Sequence, residues 1–530
     1  MNTKNAAFPI IVALALVLGF LLGNGLYKQK LPFNGPTAQQ NFGSKLDGIL
    51  DVIEKKYVDP IDRNSFVEKA IDDILHKLDP HSAYVPASHM KAMMEGVEGK
   101  FGGVGVRFAI MRDSLCVTYV MPNSPSERAG VLAGDRIIQI NDIKLSKEKL
   151  NNKFVMDNLK GDPNTNVDVL IYRKGKKVAA KIKRGVIPIE SISAKFMVDK
   201  QVGYIRLDQF SLNSAEEFRQ ASSDLKAQGM RKLVFDLRDN GGGVLGGAIE
   251  IVDEFLEADK LIVYTKGAHQ KERHYKSTSR GVLKDIPVVV LINQNSASAS
   301  EIVAGALQDN DRATIIGRRS FGKGLVQEDI TLRDESNLRL TVARYYTPTG
   351  RSIQRPYGDE VDYEADFMER YDKGELYKVD STKFFDSLKF KTPKGKVVYG
   401  GGGIMPDIFH PQDSPGMSFY FTELRYAGAF NQFTFFEWDV LGRNKYKSLQ
   451  EFIVNYTVSN DVLNRFVQMA EKDLKIKRND AQFAQSKTWL ERYIKAELAR
   501  HIWIEQGFFQ VFSKGDSDLQ RALQFFSSRN

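Results

Sequence analysis

Ser298 lies where an apolar run, Leu291-Ile292, gives way to small and polar residues, Asn293-Gln294-Asn295-Ser296-Ala297. The residues after it, Ala299-Ser300-Glu301-Ile302-Val303-Ala304, have the composition of a helix start. A serine at a helix N-terminus sits among backbone N–H groups that lack an intrahelical acceptor and favour negative charge. Such a place suits a nucleophile and the oxyanion it generates. It suits an ordinary N-cap equally well, so this segment alone decides nothing.

A serine hydroxyl needs a base. The chain has seven histidines, none in a recognisable triad setting. His81 follows the helix-ending Pro80, and His269 and His274 fall in a polar loop. The other candidate is Lys323, in Ser320-Phe321-Gly322-Lys323-Gly324-Leu325-Val326-Gln327. Flanking glycines permit close backbone approach, and apolar neighbours ease loss of the proton. From a usual pKa of about 10.4, a drop of roughly three units, about 4 kcal/mol, makes a base near neutral pH. By itself, Gly-Lys-Gly also describes a solvated strand lysine. A third segment, Asp236-Leu237-Arg238-Asp239-Asn240-Gly241-Gly242-Gly243, reads as a strand leaving into a glycine loop whose N–H groups can face a site. The lone Cys116 lies in an apolar strand-like run and reads as a core residue. No H-E-x-x-H or C-x-x-C pattern occurs, and neither a metal nor an organic cofactor is expected.

Together these motifs resemble the C-terminal processing peptidases, or tail-specific proteases. The resemblance rests on Ser296-Ala297-Ser298-Ala299-Ser300-Glu301, Phe321-Gly322-Lys323-Gly324-x-Val326-Gln327, the Asp236–Gly243 segment and Gly402-Gly403-Ile404-x-Pro406-Asp407, in the family's order. It implies a serine endopeptidase with Ser298 as nucleophile, Lys323 as general base and Gln327 positioning the lysine. It also implies an oxyanion hole from the N–H groups of Gly243 and Ala299. Glu301 reads as a first-turn acid complementing the helix dipole and stays outside that set. The loop Phe101-Gly102-Gly103-Val104 resembles the carboxylate-binding loop of PDZ domains, which cradle a peptide's C-terminus while it adds as a strand. Some family members carry an activating arginine on this domain; Lys160 stands in what looks like the matching loop, and lysine is no like-for-like replacement.

The elements that must position these residues are readable from periodicity. A chain of 530 residues needs several cores. The fold expected is multidomain α+β. Residues 1–30 form a membrane anchor or signal segment, and 31–97 a linker and helical module. Residues 98–184 form a PDZ domain, 185–410 an α/β protease core, and 411–530 a helical region. Strands are expected at 202–207, 232–237, 287–292, 313–316 and 338–345, with helices at 214–228, 246–256 and 298–309. Between Lys4 and Lys28 no charge occurs, and Ala6 to Leu22 is almost wholly apolar. That is roughly the 20 residues needed to cross a bilayer. A poor small-x-small pattern favours an uncleaved anchor, with the catalytic part in the periplasm or outside.

Net charge is +9, but no dense basic block interleaves with aromatics, so nucleic acid is not an expected partner. The expected partners are proteins or peptides with free C-termini, the membrane, and a second copy of the chain in a homo-oligomer. The competing reading is a catalytically inactive PDZ adaptor or envelope chaperone on a protease fold.

Overall fold

Runs of β-branched residues between 192 and 409 are too continuous for a half-exposed sheet, and they form one covered on both faces. In the computed structural model, the strands Ile192–Met197, Val202–Leu207, Lys232–Asp236, Val288–Ile292, Ala313–Gly317 and Ile408–Phe409 lie side by side in that order. The first pair is antiparallel and the rest are parallel. Residues 42–358, 363, 365–378, 386–412, 416–442 and 445–528 are described by the structure. The expected anchor and linker, residues 1–41, lie outside them. Among the described residues no helix is long and apolar enough to cross a membrane.

One face of the sheet is covered by the helices Ser214–Ala227, Leu245–Asp253 and Ala299–Asp309, through Phe218, Leu225, Ile251, Val252, Val303 and Leu307. The other face is covered from an unexpected quarter. Leu519, Ala522 and Phe526 of the helix Ser517–Ser527 pack on Tyr204, Val234, Val289, Leu291 and Ile316. Burying a Leu or Phe side chain stabilises by about 1.5–3 kcal/mol. The C-terminal region, expected as an appendage beyond residue 410, therefore supplies a layer of the protease core. Arg238 joins the same helix to the sheet through Asp236, Asp516 and Asp518.

The rest of the C-terminal region packs on itself. Val462, Phe466 and Ala470 meet Leu490, Ile494 and Leu498 in one core, with Met469 and Tyr493 at its margin. Both sets recur at helical spacing, in keeping with the helical region expected over 411–530. The long helix Asp480–Phe512 breaks at Trp503 and Ile504, where Ile504 has a φ of 47°. A β-branched residue is rarely found there. Beyond the break, Glu505 pairs with Arg107 of the PDZ-type domain. Arg112 pairs with Asp473, and Phe435 packs on Met111 and Cys116. Cys116 is thus buried, at the seam between the PDZ-type domain and the helices.

The PDZ-type domain is a sheet in the order Val106–Met111, Ser114–Val120, Arg136–Ile140, Asn166–Arg173, Lys176–Lys183. Val106–Met111 is its edge, beside the helix Asn152–Leu159, with Val106, Phe108, Ile110 and Phe154 partly buried around one core. A second sheet of the α/β core pairs Asn337–Tyr346 with Leu325–Thr331, Leu261–Lys266 and Ala83–Val85. The segment expected as a helical module thus contains a strand, and that strand places the Asp79–Ser82 turn near Lys323 and Gln327.

The chain divides into two units, residues 1–71 and 72–530. In the first, helix Phe42–Lys56 buries Leu50 but leaves Leu46, Ile49 and Val52 of its apolar stripe exposed.

Candidate active site

Ser298 closes the turn between Val288–Ile292 and Ala299–Asp309 with φ 54° and ψ −111°. A residue with a Cβ pays for that conformation, and such strain persists only where the surroundings over-determine it. Here they do. The Glu301 carboxylate, fully buried, accepts from Ser298 N at 2.8 Å, Lys323 N at 2.9 Å, Gly322 N at 2.7 Å and Ser320 Oγ at 2.6 Å. Burial lifts its pKa above the ordinary carboxylate value, and those four donors oppose the rise. The first-turn acid therefore lashes the lysine loop to the serine turn instead of facing solvent.

Lys323 Nζ donates to Gln327 Oε1 at 3.0 Å, and Gln327 Nε2 donates to the His81 carbonyl. A register shift between Val326 and Gln327 aims the glutamine at the amine. Burial, then the nearby Arg339, pushes the Lys323 pKa below its ordinary value, against the pull of Asp79 and Glu301. The His81 ring is driven down to about 4, by burial and then by Lys323, and its Nε2 lies 2.9 Å from the Tyr363 hydroxyl. Its backbone, not its imidazole, serves the lysine. Periodicity marked this segment only as a helix end; the sequence signal that could have found it is Asp79-Pro80-His81-Ser82, a polar cluster inside an otherwise apolar stretch.

The glycine loop meets the serine turn directly. A Cβ on Gly242, at φ 102°, would come within 2.8 Å of Ser298 Cβ and 2.9 Å of Ala297 O. Gly242 N–H is bound to Asn240 Oδ1 at 2.8 Å. The N–H groups of Gly243 and Ala299 meet no acceptor among the described residues. Ser298, Lys323, Gln327, Gly243 and Ala299 all border one cleft of about 550 Å³, walled by Met93, Val97, Phe210, Leu245 and Ile302. No hydrogen bond joins Ser298 Oγ to Lys323 Nζ among the described residues; in ligand-free enzymes such contacts are often long and tighten with substrate. A larger cavity, about 620 Å³, lies at the opposite ends of the parallel strands among Lys232, Arg312 and Lys394, away from these groups. Among the described residues no cluster of His, Cys, Asp or Glu could hold a metal. Gly242→Ala is expected to lower kcat/KM by about 100-fold, the scale of a misplacement near 1 Å. Steady-state assay of the variant checks this.

The expected carboxylate loop is placed apart from the cleft. Lys100–Gly103 is itself a strand, paired with Gly185–Pro188. Just past this strand, the N–H groups of Val104 and Gly105, both buried, meet no acceptor among the described residues. Phe101 carries Lys160, whose Nζ lies 4.5 Å from the ring centroid and donates to Glu95. Glu95 belongs to the helix Ala87–Glu98, which supplies Met93 and Val97 to the cleft wall.

A serine strained at a helix start, unpaired N–H groups beside it and a half-buried lysine, joined to a domain with an open sheet edge, define the class as a PDZ-bearing serine peptidase. Comparison with known proteins agrees. Residues 201–365 match peptidase family S41, residues 102–183 match the PDZ domain, and residues 420–504 match a family of unknown function, DUF8443. The carboxy-terminal-processing protease of Bartonella bacilliformis is 40% identical over 326 residues, covering 60% of this chain and 74% of that protein. The carboxy-terminal processing protease CtpB of Bacillus subtilis is 33% identical over 316 residues, 59% of this chain and 65% of that one. A solved photosystem II D1 C-terminal processing protease covers 71% of this chain and 88% of its own at 25% identity, with a TM-score of 0.36. The chain belongs to the carboxy-terminal processing proteases of peptidase family S41.

Proposed function

We propose that the chain is an envelope endopeptidase in which Ser298 and Lys323 form the catalytic dyad and the PDZ domain selects substrates by their free C-terminal tails. The observation that carries this is the joint placement of a strained Ser298 and a half-buried Lys323 on one cleft, with the amine held by Gln327. Neutral Lys323 takes the proton from Ser298 Oγ as the oxygen attacks the scissile carbonyl. The oxyanion is met by the N–H groups of Gly243 and Ala299. The ammonium then protonates the leaving amine as the C–N bond breaks, leaving an acyl-enzyme. Water, deprotonated by the same lysine, releases the acid and restores Ser298.

The tail adds along Val106–Met111, with its carboxylate at the N–H groups of Val104 and Gly105 and an apolar last side chain toward Phe108 and Phe154. The apolar run of residues 6–22 supports anchoring in the cytoplasmic membrane with catalysis outside it. The exposed stripe of Leu46, Ile49 and Val52 supports a homo-oligomer.

The test is cleavage of a protein bearing an apolar C-terminal tail, as free acid and as amide, by the wild-type chain and by Ser298→Ala. We expect no turnover by Ser298→Ala and at least about tenfold slower cleavage of the amide, the scale of one lost charge-assisted contact. Equal turnover by both proteins defeats the dyad. Equal rates on both tails defeat the tail-reading role.

A further inference from the structure

Glu301 ties the two catalytic residues through their backbone N–H groups; their carbonyls converge on a different side chain. The hydroxyl of Tyr345, 1% exposed, lies 2.7 Å from the Lys323 carbonyl oxygen and 3.2 Å from the Ser298 carbonyl oxygen. We propose that Tyr345 is a positioning residue for the reaction, its one hydroxyl proton holding the backbones of Ser298 and Lys323 at a fixed separation. This rests on the reading of those two residues as the dyad.

The geometry gives the tyrosine little freedom. It lies near the end of the strand Asn337–Tyr346, and its own N–H donates to Gly324 O at 3.0 Å, one residue beyond Lys323. The neighbouring register Leu325↔Arg344 continues the ladder. Its phenol is thus delivered to the cleft by the same strand pairing that delivers Lys323. Burial, then the Glu301 carboxylate, lifts the phenol pKa far above its usual value, so the group stays a donor throughout the working range.

A phenol has one proton to give. The shorter contact is to Lys323, so the stronger half of this three-centre bond holds the lysine and the weaker half spans to the serine turn. The Ser298 carbonyl is also engaged by the first helical N–H groups, of Glu301 at 2.9 Å and Ile302 at 3.0 Å. No other donor to the Lys323 carbonyl is present among the described residues. Loss of the hydroxyl therefore releases the lysine more than the serine. The nucleophile stays seated at its strained turn while the base drifts from it. Such a fault slows proton transfer and leaves substrate binding in place, because neither carbonyl faces the tail-binding domain.

The test uses the full chain on the tailed substrate, comparing wild type, Tyr345→Phe, Tyr345→p-aminophenylalanine and a Ser298→Ala blank. Phenylalanine keeps the ring and removes the donor; the aniline keeps a donor at the same place. We expect Tyr345→Phe to lower kcat by about 10- to 100-fold with KM within about threefold. The aniline variant is expected to recover most of that loss. The assignment is overturned if Tyr345→Phe turns over like wild type. It is also overturned if the aniline variant is as slow as Phe, or if KM rather than kcat carries the loss. Should Tyr345→Phe fail to fold, the aniline variant decides: wild-type-like kcat supports the assignment and a Phe-like collapse rejects it. Turnover by Ser298→Ala equal to wild type instead brings down the dyad reading, and this assignment with it.

Discussion

Lys323→Ala is expected to lower kcat/KM by about 10³-fold, within the span general-base catalysis supplies, while the melting temperature stays within a few degrees of wild type. The two halves of that result have different causes. The amine makes one side-chain hydrogen bond, to Gln327. Its removal leaves an exchangeable amide at the rim of an open cleft, not an orphan in a core. The backbone of residue 323 stays tied by Glu301 and Tyr345, neither of which uses the lysine side chain.

In the proposed mechanism, by contrast, the proton transfer depends on the amine. A serine alcohol without a base keeps only the help of the oxyanion hole and binding, which in other serine proteases leaves a small residual rate. The pH dependence supplies an independent check on the same residue. Lys323 must be neutral to accept the proton, and burial with Arg339 depresses its pKa. Activity should therefore rise with pH through that depressed value and level off well below the ordinary lysine range. A wild-type profile still rising through the ordinary lysine range would show that the amine is not held neutral. Lys323→Ala turning over within about threefold of wild type would remove the base altogether.

Local pattern was enough to find the parts of this site that are local. The strand before Ser298 and the helix after it are apolar runs of different period, and the glycines around Lys323 and after Asp236 mark close backbone approach. What pattern did not reveal is set by partners far along the chain. Glu301 looks like any acidic residue in a first helical turn, and only the arrival of residues 320–323 turns it inward. His81 looks like loop polarity until Ala83–Val85 pairs with Asn337–Arg339 and buries it. Tyr345 reads as one aromatic in a β-strand, because strand propensity says nothing about where a hydroxyl ends up.

The carboxylate loop shows the same limit on a smaller scale. Its glycines mark a close backbone approach, but its pairing with the distant strand Gly185–Pro188 is not written in them. The C-terminal helix is the largest case. The spacing of Leu519, Ala522 and Phe526 announces an amphipathic helix, yet only the folded sheet shows which apolar face waits for it. An amphipathic pattern names a need for a partner without naming the partner.

Arg238→Ala is the mutation expected to expose that dependence most clearly, destabilising the protein by about 3–5 kcal/mol, the usual cost of stranding buried charges. Arg238 Nη2 lies 2.6 Å from Asp236 Oδ2 and 2.6 Å from Asp516 Oδ2, and Nη1 lies 2.9 Å from Asp518 Oδ2. One guanidinium therefore serves three carboxylates, and Asp236 is fully buried. Three remaining partners soften the loss. Arg206 and Tyr204 still reach Asp236, and Arg318 still reaches Asp518 at 2.9 Å, which argues for the lower end of the range.

The pH dependence has a definite sign. Arg238, then Arg206, holds the Asp236 pKa well below the ordinary carboxylate range against the opposing effect of burial. Its contribution is present above the unfolded-state value, near 3.9, and fades as pH falls toward the folded one. Without Arg238 the folded-state pKa rises. The stability gap between wild type and variant should thus be widest near neutrality and narrow below about pH 4. Urea unfolding at both pH values measures it. A gap under about 1 kcal/mol at neutral pH would show that the last helix is held by its apolar face alone. The functional consequence follows from chain connectivity: Asp236 begins the segment that ends in Gly243, so the pair that anchors the last helix also bears on the proposed oxyanion site.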